Sequence, residues 1–265
     1  MTDHPPVRYE VADRVATITL DRPDARNRLD AEGMAALADA LRSAAEDDAV
    51  RVVVLTGEGS TFCSGADMSS AVSGTQEGFA GSGPAALVAV LEAMLDHPKP
   101  IVARVQGHVA GGGNGLVAAC DIAIASSEAR FAFSEVRIGV APAVISVVCL
   151  QVMDRRSAQE LFLSGERVDA DRARRAGLVT SVVEPAGLDG AVAGCVGQLL
   201  AGGPEALTHA KHLLRRIPAL DRAAAFAEAS ALSSSLFASD EAREGMTAFL
   251  EKRPAAWIES AQAGG

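Results

Sequence analysis

Nine residues constrain this chain more than any others: Gly107-His108-Val109-Ala110-Gly111-Gly112-Gly113-Asn114-Gly115. Three consecutive glycines stand between an apolar run, Ile101–Val105, and a helix-like run, Leu116–Ala119. A strand that turns through glycine into a helix presents unpaired backbone N–H groups at the turn, and such groups hold negative charge. That charge is either a phosphate or an oxyanion formed during a reaction. The turn is not G-x-G-x-x-G, and no Lys-Ser/Thr follows the glycines, so the usual dinucleotide and P-loop fingerprints are missing.

The segments around the turn predict an α/β fold. Val15–Leu20 alternates like a half-buried strand, and Val52–Leu55 reads as a strand buried on both faces. Ile122–Ala125 and Arg130–Ala132 continue the strand series. Asp30 is placed to cap a helix running from Ala31 to Ala45, and another helix is expected from Ala85 to Leu95. Glu58 to Met68 reads as loop, and Ser69 to Pro84, rich in Gly, Ser and Ala, as a mobile loop. Beyond Val140 helical stretches dominate: Val144 to Met153, Ser157 to Leu163, Ala170 to Ala176, Leu188 to Ala201, Glu205 to Arg215 and Arg222 to Phe237. Asp240 is expected to cap a last helix ending near Lys252, and Leu178–Val183 is the one strand expected in this half. No repeat of fixed period is visible.

Composition narrows the function. At 265 residues, 49% hydrophobic and 22% charged, the chain can bury a full core. Aromatics are only 4%, so the core must be mostly Ala, Val and Leu. A net charge of −10, with no Lys/Arg-rich run, argues against nucleic acid as a partner. Cys63, Cys120, Cys149 and Cys195 form no CxxC pair and sit in apolar contexts, as reduced core residues do. The first residues, Met1-Thr2-Asp3-His4-Pro5-Pro6, lack the regions of a secretory signal, and no apolar run is long enough to span a membrane. A cytoplasmic protein with no membrane partner is expected.

Two further segments carry chemistry. Gly59 to Met68 follows a buried strand and is poor in bulky side chains. It is either an ordinary loop that needs glycine to turn or one that lets a ligand approach its backbone. In Phe133-Ser134-Glu135-Val136-Arg137-Ile138-Gly139 a carboxylate lies in an apolar stretch. Glu135 is either a buried proton-exchanging group or the ion-pair partner of Arg137 or a neighbouring arginine.

Taken in order, these segments resemble the crotonase superfamily, the enoyl-CoA hydratase/isomerase family, over nearly the whole chain. Arg22-Pro23-Asp24-Ala25-Arg26-Asn27 is similar to its adenine-nucleotide loop, and Phe62 to Met68 to its first oxyanion segment. Pro100 to Gly113 with Cys120-Asp121 is similar to the second oxyanion segment, Ala129 to Gly139 to the catalytic-Glu segment, and Asp240 to Arg253 to the C-terminal helix. The resemblance implies a spiral of β-β-α units over 1–200 carrying the CoA-thioester site, and a helical oligomerisation region over 201–265. It implies that the N–H groups of Ala66 and Gly112 form an oxyanion hole and that Glu135 is the acid–base. Arg26, Arg28, Ser64, Ala66, Asp67, Met68, His108, Gly111 and Gly112 would line the substrate and CoA site, with Phe249 and Lys252 from the C-terminal helix and Arg253 as an alternative to Lys252 for the CoA phosphates. No metal or separate cofactor is implied, because CoA is part of the acyl-CoA substrate. The assembly implied is a homotrimer or a hexamer.

Two departures bear on the reaction. Family hydratases commonly place a second glutamate two residues after the third glycine, where this chain has Gly115. After Gly139 it reads Val140-Ala141-Pro142-Ala143-Val144-Ile145-Ser146 in place of the usual Pro-Gly-Ala-Gly-Gly. Together with Gly111-Gly112-Gly113-Asn114-Gly115 and Ser134-Glu135-Val136-Arg137, the second departure resembles the branch that hydrates methylglutaconyl-type, branched or carboxylated enoyl-CoAs. The leading expectation is an enoyl-CoA hydratase. The alternatives are a delta-isomerase using the same Glu, or a CoA-ester-binding homologue without turnover. Glu77 and His108 are the candidates for a second acid–base.

Overall fold

The computed structural model describes residues 5–66 and 83–259. Ten strands form two sheets. The larger has the order β1 (Val7–Ala12), β2 (Val15–Leu20), β3 (Val52–Gly57), β5 (Ile101–Val105), β7 (Ile122–Ser126), β10 (Ser181–Val183). The smaller has the order β4 (Thr61–Cys63), β6 (His108–Ala110), β8 (Arg130–Ala132), β9 (Arg167–Asp169). Apart from the β1–β2 and β8–β9 pairs, neighbouring strands run parallel.

Successive strands step between the sheets. β3, β5 and β7 enter the larger sheet, and each is followed directly by β4, β6 or β8 in the smaller one. A helix follows each pair: α2 (Gly83–Leu95), α3 (Gly112–Ala119) and α4 (Ala143–Val152), with α1 (Ala31–Glu46) preceding them. This is the β-β-α spiral that the resemblance implies. Its turns begin at Val52, Ile101 and Ile122, so unevenly that no fixed period could appear in the sequence.

The period-2 alternation of β3 feeds two cores. Val53 and Leu55 pack into the spiral with Ile18, Ile101, Ala103 and Met94. Val52 and Val54 face the other way, onto Leu188, Val192 and Val196 of a helix, α7 (Leu188–Ala201), that comes later in the chain than α5 (Arg155–Ser164) and α6 (Ala170–Arg175). That double burial is why the strand reads as one continuous apolar run. Asp30 caps α1 as expected, its carboxylate accepting from the Gly33 N–H at 2.8 Å.

The C-terminal part consists of α8 (Pro204–Arg216), α9 (Arg222–Phe237), α10 (Asp240–Glu251) and α11 (Ala256–Glu259). An ion pair between buried Lys211 and Asp121 at the surface ties α8 to the spiral. Lys211 Nζ lies 2.8 Å from Asp121 Oδ2 and also donates to the carbonyls of Met94 and Lys99. The same Asp121 oxygen accepts the Ile101 N–H at 2.7 Å. Glu241 on α10 accepts the N–H groups of Glu205 and Ala206 at the start of α8. The residue that caps α10 is Ser239, whose hydroxyl accepts from Ala242 N–H; Asp240 is already helical. β1, β4, β6 and β9 are strands that the sequence pattern does not announce. Three of them are only three residues long, too short for an alternation to show.

Candidate functional site

The first backbone segment leaves β4 at Cys63. Ser64 N–H donates to the Arg26 carbonyl at 3.1 Å, and Leu29 N–H donates to the Gly65 carbonyl at 2.8 Å. Leu29 and Ala66 form an isolated parallel bridge. The Gly65–Ala66 peptide is trans, so the Ala66 N–H points opposite to the Gly65 carbonyl and hence away from Leu29. Gly65 has φ +85°, and a Cβ there would stand 2.8 Å from Ala110 O and 3.2 Å from Gly112 N. The two glycine segments therefore lie backbone against backbone.

The second segment is the turn from β6 into α3. Gly111, at φ +50°, donates its N–H to Ala132 O and precedes the helix. Gly112 is the first helical residue, so its N–H has no carbonyl within its own helix. A side chain at Gly112 would meet Leu29 Cδ1 at 2.9 Å. The glycine there answers to packing against α1's entry loop.

Glu135 lies on a single 3-10 turn, Ser134–Ile138, directly after β8. A Cβ on Gly111 would be 3.5 Å from Glu135 Oε1, which places the carboxylate at the mouth of the glycine turn. Burial raises its pKa above the ordinary carboxylate value, opposed by a hydrogen bond from its own backbone N–H. Oε2 is buried with no hydrogen-bond partner among the described residues. The ion-pair reading of Glu135 fails: Arg137 Nε donates instead to the Gly165 carbonyl at 2.9 Å. Cys149 on α4 is close enough to Glu135 that the carboxylate adds to the upward push of burial on its thiol.

Two further residues at the site are missing from the candidates read from the sequence. Asn114 is fully buried, and its Nδ2 donates to Ala132 O at 2.8 Å. Ala132 O thus receives both Gly111 N–H and Asn114 Nδ2, stapling the glycine turn to the strand that leads to Glu135. A polar residue inside a glycine turn was the available clue. The other is Ile145 on α4: a Cβ on Gly115 would stand 2.5 Å from Ile145 Cγ2.

The remaining candidates are scattered. Arg26 and Arg28 are exposed beside the Ser64 backbone, and Arg28 Nε is 4.0 Å from Asp30. His108 is exposed at the far end of β6, three extended residues or about 10 Å from Gly111. Phe249 is 82% exposed on α10, and exposed Lys252 closes that helix in a left-handed conformation. Asp67, Met68 and Glu77 lie outside the described residues. The assembled part is two glycine-bearing backbone segments in contact, beside a half-buried carboxylate.

Comparison with known proteins bears on what such a site serves. The enoyl-CoA hydratase/isomerase family model matches residues 10–260. The short-chain-enoyl-CoA hydratase of Clostridium acetobutylicum is 32% identical over 254 residues, 93% of this chain and 95% of that one. The crotonyl-CoA hydratase of Syntrophomonas wolfei is 33% identical over 258 residues, 94% of this chain and 96% of that one. The crystal structure of an enoyl-CoA hydratase from Mycobacterium smegmatis superposes with a TM-score of 0.90 at 34% identity, covering 96% of this chain and 99% of that chain. The chain belongs to the enoyl-CoA hydratase/isomerase family.

Proposed function

We propose that this chain is an enoyl-CoA hydratase in which Glu135 is the acid–base and the N–H groups of Ala66 and Gly112 hold the thioester oxygen. The carrying observation is the position against Gly111 of a half-buried carboxylate whose Oε2 has no hydrogen-bond partner among the described residues, at the helix start that Gly112 opens. Glu135 takes a proton from water as the water oxygen bonds to C3. The thioester oxygen takes up the enolate charge, which two preorganised backbone donors stabilise without reorganisation. Glu135 then returns the proton to C2. The thioester is its own electron sink, so the reading calls for no metal and no separate cofactor.

The CoA phosphates take the exposed side of Arg26 and Arg28, with Lys252 as a further partner. The spiral over 1–200 carries the site, and the helices over 201–265 serve assembly into trimers or hexamers. Exposed Phe226, Phe237, Phe249 and Leu250 on α9 and α10 support that role.

A second reading has its own observation. Position 115 is packed against Ile145 and carries no second carboxylate. One carboxylate suffices to move a proton from C2 of a 3-enoyl thioester to C4, which is isomerisation. The purified protein should be given crotonyl-CoA, a methylglutaconyl-type ester and a 3-enoyl-CoA, and the products resolved. Hydration of either 2-enoyl ester supports the leading reading. Isomerisation with no hydration replaces it by the second, and binding without turnover of any ester defeats both.

A further inference from the structure

Gly111 is the residue just before α3, and Gly115 lies four residues on, in the helix. The first meets the Glu135 carboxylate and the second meets Ile145. Ile145 stands four residues before Cys149 on α4, one turn away on the same face, and Cys149 Sγ lies against the Asn114 carbonyl and close to Glu135, so a side chain at 115 would project beside the Glu135 site. Ile145 fills that place: its Cγ2 and Cβ lie 2.5 and 3.1 Å from where a Cβ on residue 115 would stand, with Leu91 Cδ1 at 3.7 Å. Ile145 is only 2% exposed and β-branched, so its side chain has little freedom to swing aside.

We propose that Ile145 is a specificity-determining residue that holds the site to a single acid–base. It occupies the volume of a side chain at 115 and makes the wall there aliphatic, with Leu91. The absence of a side chain at 115 and the branched side chain at 145 are one feature, the two halves of a packed contact. Adding a carboxylate at 115 alone cannot build a second acid–base, because Ile145 displaces it. Removing Ile145 as well opens the place. This rests on the enolate chemistry proposed above for Glu135.

Two experiments separate the packing from the chemistry. In the first, Gly115→Ala is made in the parent and in an Ile145→Ala background, and thermal unfolding is followed. The loss in Tm in the parent should be at least about twice that in the Ile145→Ala background, as for residues in contact. Equal losses overturn the proposal, whatever the protein catalyses. In the second, Gly115→Glu and the double variant Gly115→Glu/Ile145→Gly are given crotonyl-CoA and a 3-enoyl-CoA. The ratio of hydration to isomerisation should rise at least about tenfold in the double variant over the single one, the scale of an added general acid–base. The same ratio in both overturns the role of Ile145. A parent that turns over neither ester instead strikes down the functional reading, while the Tm comparison still decides the packing.

Discussion

Ionising Glu135 puts a charge where burial disfavours it and where Oε2 has no partner. Its folded pKa is raised above its unfolded value. The stability it contributes is therefore present below the ordinary carboxylate range and lost as pH rises through the raised pKa. Glu135→Gln should have the parent's Tm at low pH and a higher Tm than the parent at neutral pH, read by thermal unfolding across a pH series. A Tm difference independent of pH would contradict the burial argument. Asn114→Ala removes the Nδ2 bond to Ala132 O, and should cost about 1 kcal/mol in a denaturant melt together with a fall in turnover. At this scale Glu135 was legible because a lone carboxylate stands out in an apolar stretch. Ile145 was not, because its partner is thirty residues away and both are small or apolar.

At the scale of elements, the site depends on two backbones touching. β4 and β6 pair in parallel, and the residues just beyond them, Gly65 and Gly111–Gly112, meet. Gly65→Ala would strain a left-handed residue and push a methyl group against Gly112 N and Ala110 O. Turnover should fall by about 10²–10³, as when one oxyanion donor is lost, with a lowered Tm; kinetics and a thermal melt check both. The larger elements were readable: β5 and α9 run over the residues that the pattern predicts. β4 and β6 were not, since three-residue strands owe their form to pairing with each other and leave no periodic mark. The reason for the small residue at Gly112 was also hidden. Its Cβ would strike Leu29, a contact that only the folded chain reveals.

The whole molecule is held together across long sequence distances. Lys211, 7% exposed, joins the C-terminal helices to Asp121 and to the loop before β5. Lys211→Ala would leave Asp121 with Arg215 as its remaining cation and free the Met94 and Lys99 carbonyls, and should destabilise by about 1–3 kcal/mol in a denaturant melt. Across the described residues no helix is long and apolar enough to cross a membrane, and α9 and α10 carry exposed apolar side chains. Sedimentation of the purified chain should give three or six copies, and a monomer at micromolar concentration would refute the assembly. The central claim is that strand, turn and helix converge to set one carboxylate, Glu135, against two backbone donors. Turnover of crotonyl-CoA by Glu135→Gln, measured beside the binding of a CoA ester, tests it most directly. The account predicts a loss of at least about 10² in turnover with affinity kept within a few-fold, the scale of a lost general acid–base. An unchanged rate would contradict it.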